Sequence, residues 1–186
     1  IGRRVSRGFD LYGDVRDQVY GGVGAESDLG SRAVAETRGQ VITHNGRLIR
    51  AYFHSTCGGS TANIEDVWDS PPVPYLKRVY DAANASFFCA ASPHFRWREV
   101  YSQSQVHGIV GGHIREGVPD ATGDIGRLRE VAVAAPALSG RARYTRIVAA
   151  TGTRQVPNAR LRSVLRRPTA GALLPSSYLR LFSDRP

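Results

Sequence analysis

Hydrophobic and polar positions alternate with a period of two over several short stretches of this chain, while helical spacing is confined to a few places. Gln40-Val41-Ile42-Thr43 and Leu48-Ile49-Arg50-Ala51-Tyr52-Phe53 flank Asn45-Gly46. Both central residues of a type I′ turn need positive φ, which Asn and Gly tolerate, so this pattern predicts a β-hairpin. Phe95 to Tyr101 alternates and predicts a strand, and Arg127 to Ala134 with Ala142 to Ala150 predict a second hairpin around Leu138-Ser139-Gly140. Tyr75 to Tyr80 and Tyr178 to Phe182 predict further short strands, and Asp10 to Tyr20 reads as a loop. Ser27-Asp28 ahead of Leu29, Ala33, Val34 and Thr37 predicts a capped short helix ending at Gly39. Ser102 or Ser104 can cap a helix through about His113, against the cost of Gly108, Gly111 and Gly112. Pro157 followed by Leu161, Val164 and Leu165 predicts one more. Together these elements describe an α+β fold, β-rich, with hairpins and a few short helices in a single domain over residues 1–186.

Composition narrows the class. With 186 residues, 41% hydrophobic and 22% charged, the chain can bury a core and is neither disordered, collagenous nor a coiled coil. It begins at Ile1 and contains no Met, which reads as a mature or truncated piece with any signal or anchor upstream. The longest apolar runs, such as Val131 to Ala137, fall far short of the roughly 18 to 20 residues a membrane span needs, so no span is expected in this segment. The formal charge of +9 attracts anions, but it is dispersed. Lys77 is the single lysine, no arginine block exceeds Arg166-Arg167, and no RNA-binding or zinc-finger signature accompanies them. We therefore expect a solvated basic surface or an anionic-polymer contact, with no nucleic-acid partner.

The chemistry concentrates in the stretch from His54 to Trp68, where side chains become small and polar and glycines permit close backbone approach. In a functional reading, His54, Ser55, Thr61, Glu65 and the backbone N–H groups around Gly58 and Gly59 line a polar cleft, and Trp68 offers a face for a sugar ring. In a structural reading, Gly58-Gly59 is a tight turn, Trp68 a core residue and His54 a satisfied polar group. Cys57 and Cys89 leave three states open: a disulfide closing a loop of about 30 residues, a zinc set with His54 and His94, or two buried thiols. Ser55 beside His54 does not make a serine hydrolase, because no G-x-S-x-G elbow is present. Gly108 to Gly112 lacks the Lys-Ser/Thr of a phosphate loop, and His44, His107 and His113 read as surface residues.

Phe9-Asp10-Leu11, Gln18-Val19-Tyr20-Gly21-Gly22, Ala33 to Gly39, Ala51 to Gly59, Thr61, Glu65-Asp66-Val67-Trp68, Pro74-Tyr75-Leu76 and Ser92-Pro93-His94-Phe95-Arg96-Trp97 follow one another along the chain. Together they resemble the SpoIID/LytB family of bacterial cell-wall proteins. The resemblance implies a secreted or envelope location and a peptidoglycan lytic transglycosylase, which leaves a 1,6-anhydroMurNAc end, with no cofactor required. It implies a cleft of His54, Ser55, Gly58, Gly59, Thr61 and Glu65 with Gln18 opposite, and a cell-wall amidase as working partner. It also implies a catalytic glutamate in a P-x-E-A-L-K-A-Q-A-V-A-A-R-T-Y type helix. That pattern is not in this chain, so no catalytic residue is assigned here and the acid is expected upstream of Ile1. Tyr12, Arg16 and Asp17 stand where some members carry zinc ligands, and the family's C-terminal Gly-His-Gly motif is missing, so the chain reads as the middle of the domain. The alternative from another class is a non-catalytic envelope protein that binds glycan or enhances an amidase, in sporulation or in general cell-wall work.

Overall fold

A computed structural model describes residues 5–9, 12–14, 19–84, 86–121, 123–169 and 171–183. The fold is α+β and divides into two compact units, Ile1–Ala51 and Tyr52–Pro186. In the first, 3-10 turns at Val5–Arg7 and Val23–Ala25 precede helix α1, Asp28–Glu36. Ser27 caps α1 by accepting from the Gly30 N–H at 3.2 Å. At the other end the Thr37 hydroxyl donates to Ala33 O and Gln40 Nε2 to Glu36 O, covering carbonyls that the helix leaves open. Asn45 and Gly46 take φ of +51° and +74° and join β1, Thr43–His44, to β2, Arg47–Leu48, with Thr43 opposite Leu48. The predicted hairpin is present but its ladder is two residues long on each side. No described residue of this unit is buried, and Val41, Ile42 and Leu48 are exposed. Turn geometry, rather than a packed face, therefore sets the hairpin, and such ribbons stay short.

The second unit opens on a ribbon of which only the second arm, within Tyr75 to Tyr80, was predicted. Residues 59–64 run antiparallel to 76–81, with Asp81 N donating to Gly59 O, Thr61 N to Val79 O and Ile64 N to Leu76 O. A 3-10 turn at Ile64–Asp66 reverses the chain between them. A small hairpin follows, β3 at Ala82–Ala83 and β4 at Ser86–Phe87, with Asn84 at φ +48° in its turn.

Helix α2, Gln103–Gly117, runs a turn past the predicted end at His113. Its N-terminus is a reciprocal capping box, Gln105 N to Ser102 Oγ and Ser102 N to Gln105 Oε1, which satisfies two otherwise open donors. Val106, Val110, Ile114 and Gly117 share one face, and that apolar stripe outweighs the cost of the glycines. Strands β5 (Leu128–Pro136), β6 (Ala142–Ala149) and β7 (Gly152–Pro157) form one antiparallel sheet in that order. Pro157 ends β7 and caps α3, Asn158–Val164. The core gathers Val110 and Ile114 of α2, Ile147 of β6, Val156 of β7, and Leu161 and Val164 of α3, with Ile125 and Leu174.

Among the described residues, two predicted strands have no pairing partner. Phe95 to Tyr101 keeps its alternation, since Trp97 and Tyr101 pack on the core while Arg96, Arg98 and Val100 are exposed, yet no strand lies beside it. Tyr178 to Phe182 likewise packs Leu179 and Leu181 on the core without joining a sheet. Tyr75 to Tyr80, by contrast, is paired, as the second arm of the 59–64 ribbon with a bridge from Tyr80 to Ser60. Periodicity reports which side chains are buried, and burial against helices satisfies it as well as a sheet does. Among the described residues no helix is long and apolar enough to cross a membrane.

Candidate functional site

The loop from Tyr52 to Trp68 is held from below by arginines distant in sequence. Arg141, at the turn between β5 and β6, donates from its guanidinium to Cys57 O at 3.2 Å and Ser60 O at 3.3 Å, and lies over the Tyr178 ring at 4.6 Å. Burial holds the Arg141 pKa below its ordinary value, but the two carbonyls and the ring face stabilise the cation in place. Arg96 donates to Gly58 O at 3.3 Å and stacks on Phe95, which packs against Phe87. Gly58 and Gly59 have φ of +77° and +109°, and a Cβ on Gly59 would meet the Phe87 ring at 2.7 Å. Close approach to Tyr178 and Phe87 accounts for Gly58 and Gly59. The Gly59 N–H, expected in the cleft, is bonded instead to Cys57 Sγ at 3.2 Å.

The remaining expected residues divide into two groups. His54 and Ser55 are exposed, next to Tyr52. Thr61 works within the ribbon, its hydroxyl accepting from Val79 N at 2.7 Å. Glu65 accepts from Lys77 Nζ at 3.0 Å, and its own backbone N–H together with that ammonium holds its carboxyl below the ordinary range. Its neighbour Asp66 is 3% exposed, and Asn158 at the start of α3 donates to the Asp66 carbonyl. Gln18 lies outside the described residues.

Trp68 is not a core residue. Its ring lies 4.8 Å from that of Tyr52, tilted by 36°, and both are largely exposed, at 46% and 44%. The contact pairs two exposed rings from opposite ends of the 52–68 loop as an aromatic platform; His54 and Ser55 follow Tyr52 in the sequence, and Glu65 precedes Trp68. A planar apolar face next to polar side chains is what a sugar ring, apolar on one face and hydroxylated at its edge, can use.

Beneath the platform the thiols meet. Cys57 donates to Asp81 Oδ2 at 2.8 Å, and the Cys57 and Cys89 sulfurs are 3.3 Å apart as free thiols. Burial and the bond to Asp81 push the Cys57 thiol up to about 12. Burial also raises Cys89, but the Cys57 side chain and the N–H groups of residues 57–59 outweigh it and bring Cys89 below its ordinary value. Among the described residues, the donors close enough to share a metal are Cys57, Asp81 and Cys89. The zinc set expected with His54 and His94 is therefore corrected, since the ribbon brings Asp81, and neither histidine, to the sulfurs.

Asp81, Phe87, Arg141 and Tyr178 were missed by sequence reasoning. No local signal could have found Arg141 among the 25 basic residues, because its role exists only where the β5–β6 turn meets the loop.

Comparison with known proteins finds partial similarities. An amidase enhancer of Bacillus subtilis (strain 168) is 36% identical over 89 residues, 48% of this chain and 11% of that protein. Part of the chain is thus similar to proteins of the SpoIID/LytB kind. The stage II sporulation protein D of the same organism is 49% identical over 47 residues, covering 25% of this chain and 13% of the relative. That of Bacillus amyloliquefaciens is 45% identical over 49 residues, 26% of this chain and 14% of the relative. The matches thus span little more than a tenth of the length of these SpoIID/LytB relatives. No family model matches the chain, and no solved structure does.

Proposed function

We propose that this chain is the glycan-binding middle of a cell-wall lytic domain that works outside the cytoplasm on peptidoglycan strands. The observation that carries the reading is the exposed Tyr52–Trp68 ring pair, in the same loop as the exposed His54 and Ser55. Relatives named for amidase enhancement and sporulation support a cell-wall role. The net charge of +9 favours the anionic polymers of an envelope.

The reaction is transglycosylation without water. One carboxylic acid protonates the leaving glycosidic oxygen, and as carboxylate it then takes the proton of the sugar's C6 hydroxyl as that oxygen attacks C1. Such an acid must be protonated and must reach solvent. Glu65 fails the first condition, because Lys77 and its own N–H favour the ionised form, and Asp66 fails the second, being buried. The resemblance to SpoIID/LytB proteins implies an acid on a helix whose pattern is not among these 186 residues, and in this reading the chain orients the strand. The name of the amidase enhancer favours one alternative, a domain that binds glycan and assists an amidase without cutting.

Incubating the full-length protein with peptide-free glycan strands distinguishes the two. Mass spectrometry is expected to find 1,6-anhydroMurNAc ends, and intact strands after prolonged incubation with folded protein would remove the lytic claim and leave the binding one.

A further inference from the structure

Two thiols that the glycan chemistry does not use stand at the base of the loop. Cys57 is 4% exposed and Cys89 is half-buried, with the sulfurs 3.3 Å apart. A tetrahedral zinc ion with bonds of about 2.3 Å would hold two sulfurs roughly 3.8 Å apart, and it would want a fourth donor beyond Asp81. With three donors a tetrahedral ion is one ligand short, whereas a shift of roughly 1.2 Å would bring the two sulfurs to bonding distance.

The geometry points to Cys57 and Cys89 as a dithiol–disulfide couple that fastens the loop, closed by exchange with a disulfide oxidant such as oxidised glutathione. Cys89, the more accessible sulfur, attacks one sulfur of the oxidant as thiolate, forming a mixed disulfide and releasing one thiol. Cys57 then attacks the Cys89 sulfur, the Cys57–Cys89 bond forms, and the second thiol leaves. Asp81 Oδ2, already accepting the Cys57 S–H, is placed to receive that proton. Two electrons and two protons pass from the cysteines to the oxidant, which departs as two thiols.

The bond would join two parts of the site that are otherwise held by hydrogen bonds. Cys57 carries the carbonyl that Arg141 grips, and Cys89 follows β4, whose Phe87 packs against Gly59. Closing the 32-residue separation ties the ribbon, the Ile64–Asp66 turn and the β3–β4 hairpin into one ring. The oxidised form therefore fixes residues 57–61 more firmly than the dithiol does.

The test is made on full-length protein and does not depend on glycan activity. After incubation with oxidised glutathione, alkylation and non-reducing digestion, mass spectrometry is expected to find the Cys57 and Cys89 peptides joined, two hydrogens lighter than the separate pair. Reduction is expected to lower Tm by several degrees and raise amide exchange in residues 57–61. The Cys57→Ser, Cys89→Ser variant, where it folds, is expected to ignore reductant. Alkylation of both thiols after oxidant treatment would overturn the proposal. So would one equivalent of zinc by elemental analysis, with thiols protected until a chelator is added.

Discussion

At Gly59 two constraints coincide: φ is +109°, and a Cβ would lie 2.7 Å from Cε1 and 2.9 Å from Cδ1 of Phe87. Any side chain there strains the backbone and also moves a ring held against Phe95 and Tyr80. Gly59→Ala is expected to cost about 2–3 kcal/mol, read from a shifted urea midpoint. Gly108→Ala is the contrast, because it lies within α2 with nothing within 4 Å of an added Cβ, and it is expected to gain about 0.5–1 kcal/mol. A urea midpoint for Gly59→Ala equal to the wild type would contradict the packing. The sequence marks Gly58-Gly59 as a place of close approach, since two adjacent glycines at a strand end serve little else. What approaches them could not be read there, because Phe87 and Tyr178 are 28 and 120 residues away in the sequence and nothing local selects them.

Between elements, α2 is joined to the segment after α3 by a charged cluster. Glu116 accepts from His113 Nδ1 at 2.8 Å and from the Arg166 guanidinium at 2.8 and 2.9 Å. The bond from His113, then the Arg166 cation, hold the Glu116 carboxyl below its ordinary 4.5. A carboxylate depressed in the folded state contributes stability above its ordinary value and loses it as pH falls through the lower folded value. The wild type is thus expected to lose more Tm between pH 6 and pH 3 than Glu116→Gln, whose profile should be flatter below about 4.5. Parallel profiles would show that the cluster is solvated and inert. At this scale much was legible: the Asn45-Gly46 turn, the β5–β6 hairpin, the Ser27 cap and the Pro157 start of α3 each rest on local chemistry. The strand β7 was missed because Gly152 to Pro157 is short and its pairing with β6 is set by the turn at residues 150–152. The 59–64 ribbon was missed for a similar reason, since its partner lies beyond a proline-rich excursion.

Across the whole molecule, the residues that resemble SpoIID/LytB proteins serve two purposes. Cys57, Gly58, Gly59 and Thr61 build the support, while Tyr52, His54, Ser55 and Trp68 are exposed. A sequence motif does not separate these roles, because support and contact alternate within one loop. The account rests on the platform as the glycan contact. The most direct measurement is the affinity of full-length protein for peptide-free glycan strands, wild type against Trp68→Ala, with Tm followed in parallel. Because Trp68 is 46% exposed, the variant is expected to keep its Tm within a few degrees and to bind about tenfold more weakly. Equal affinity of the two proteins, or no binding by the folded wild type, would contradict it.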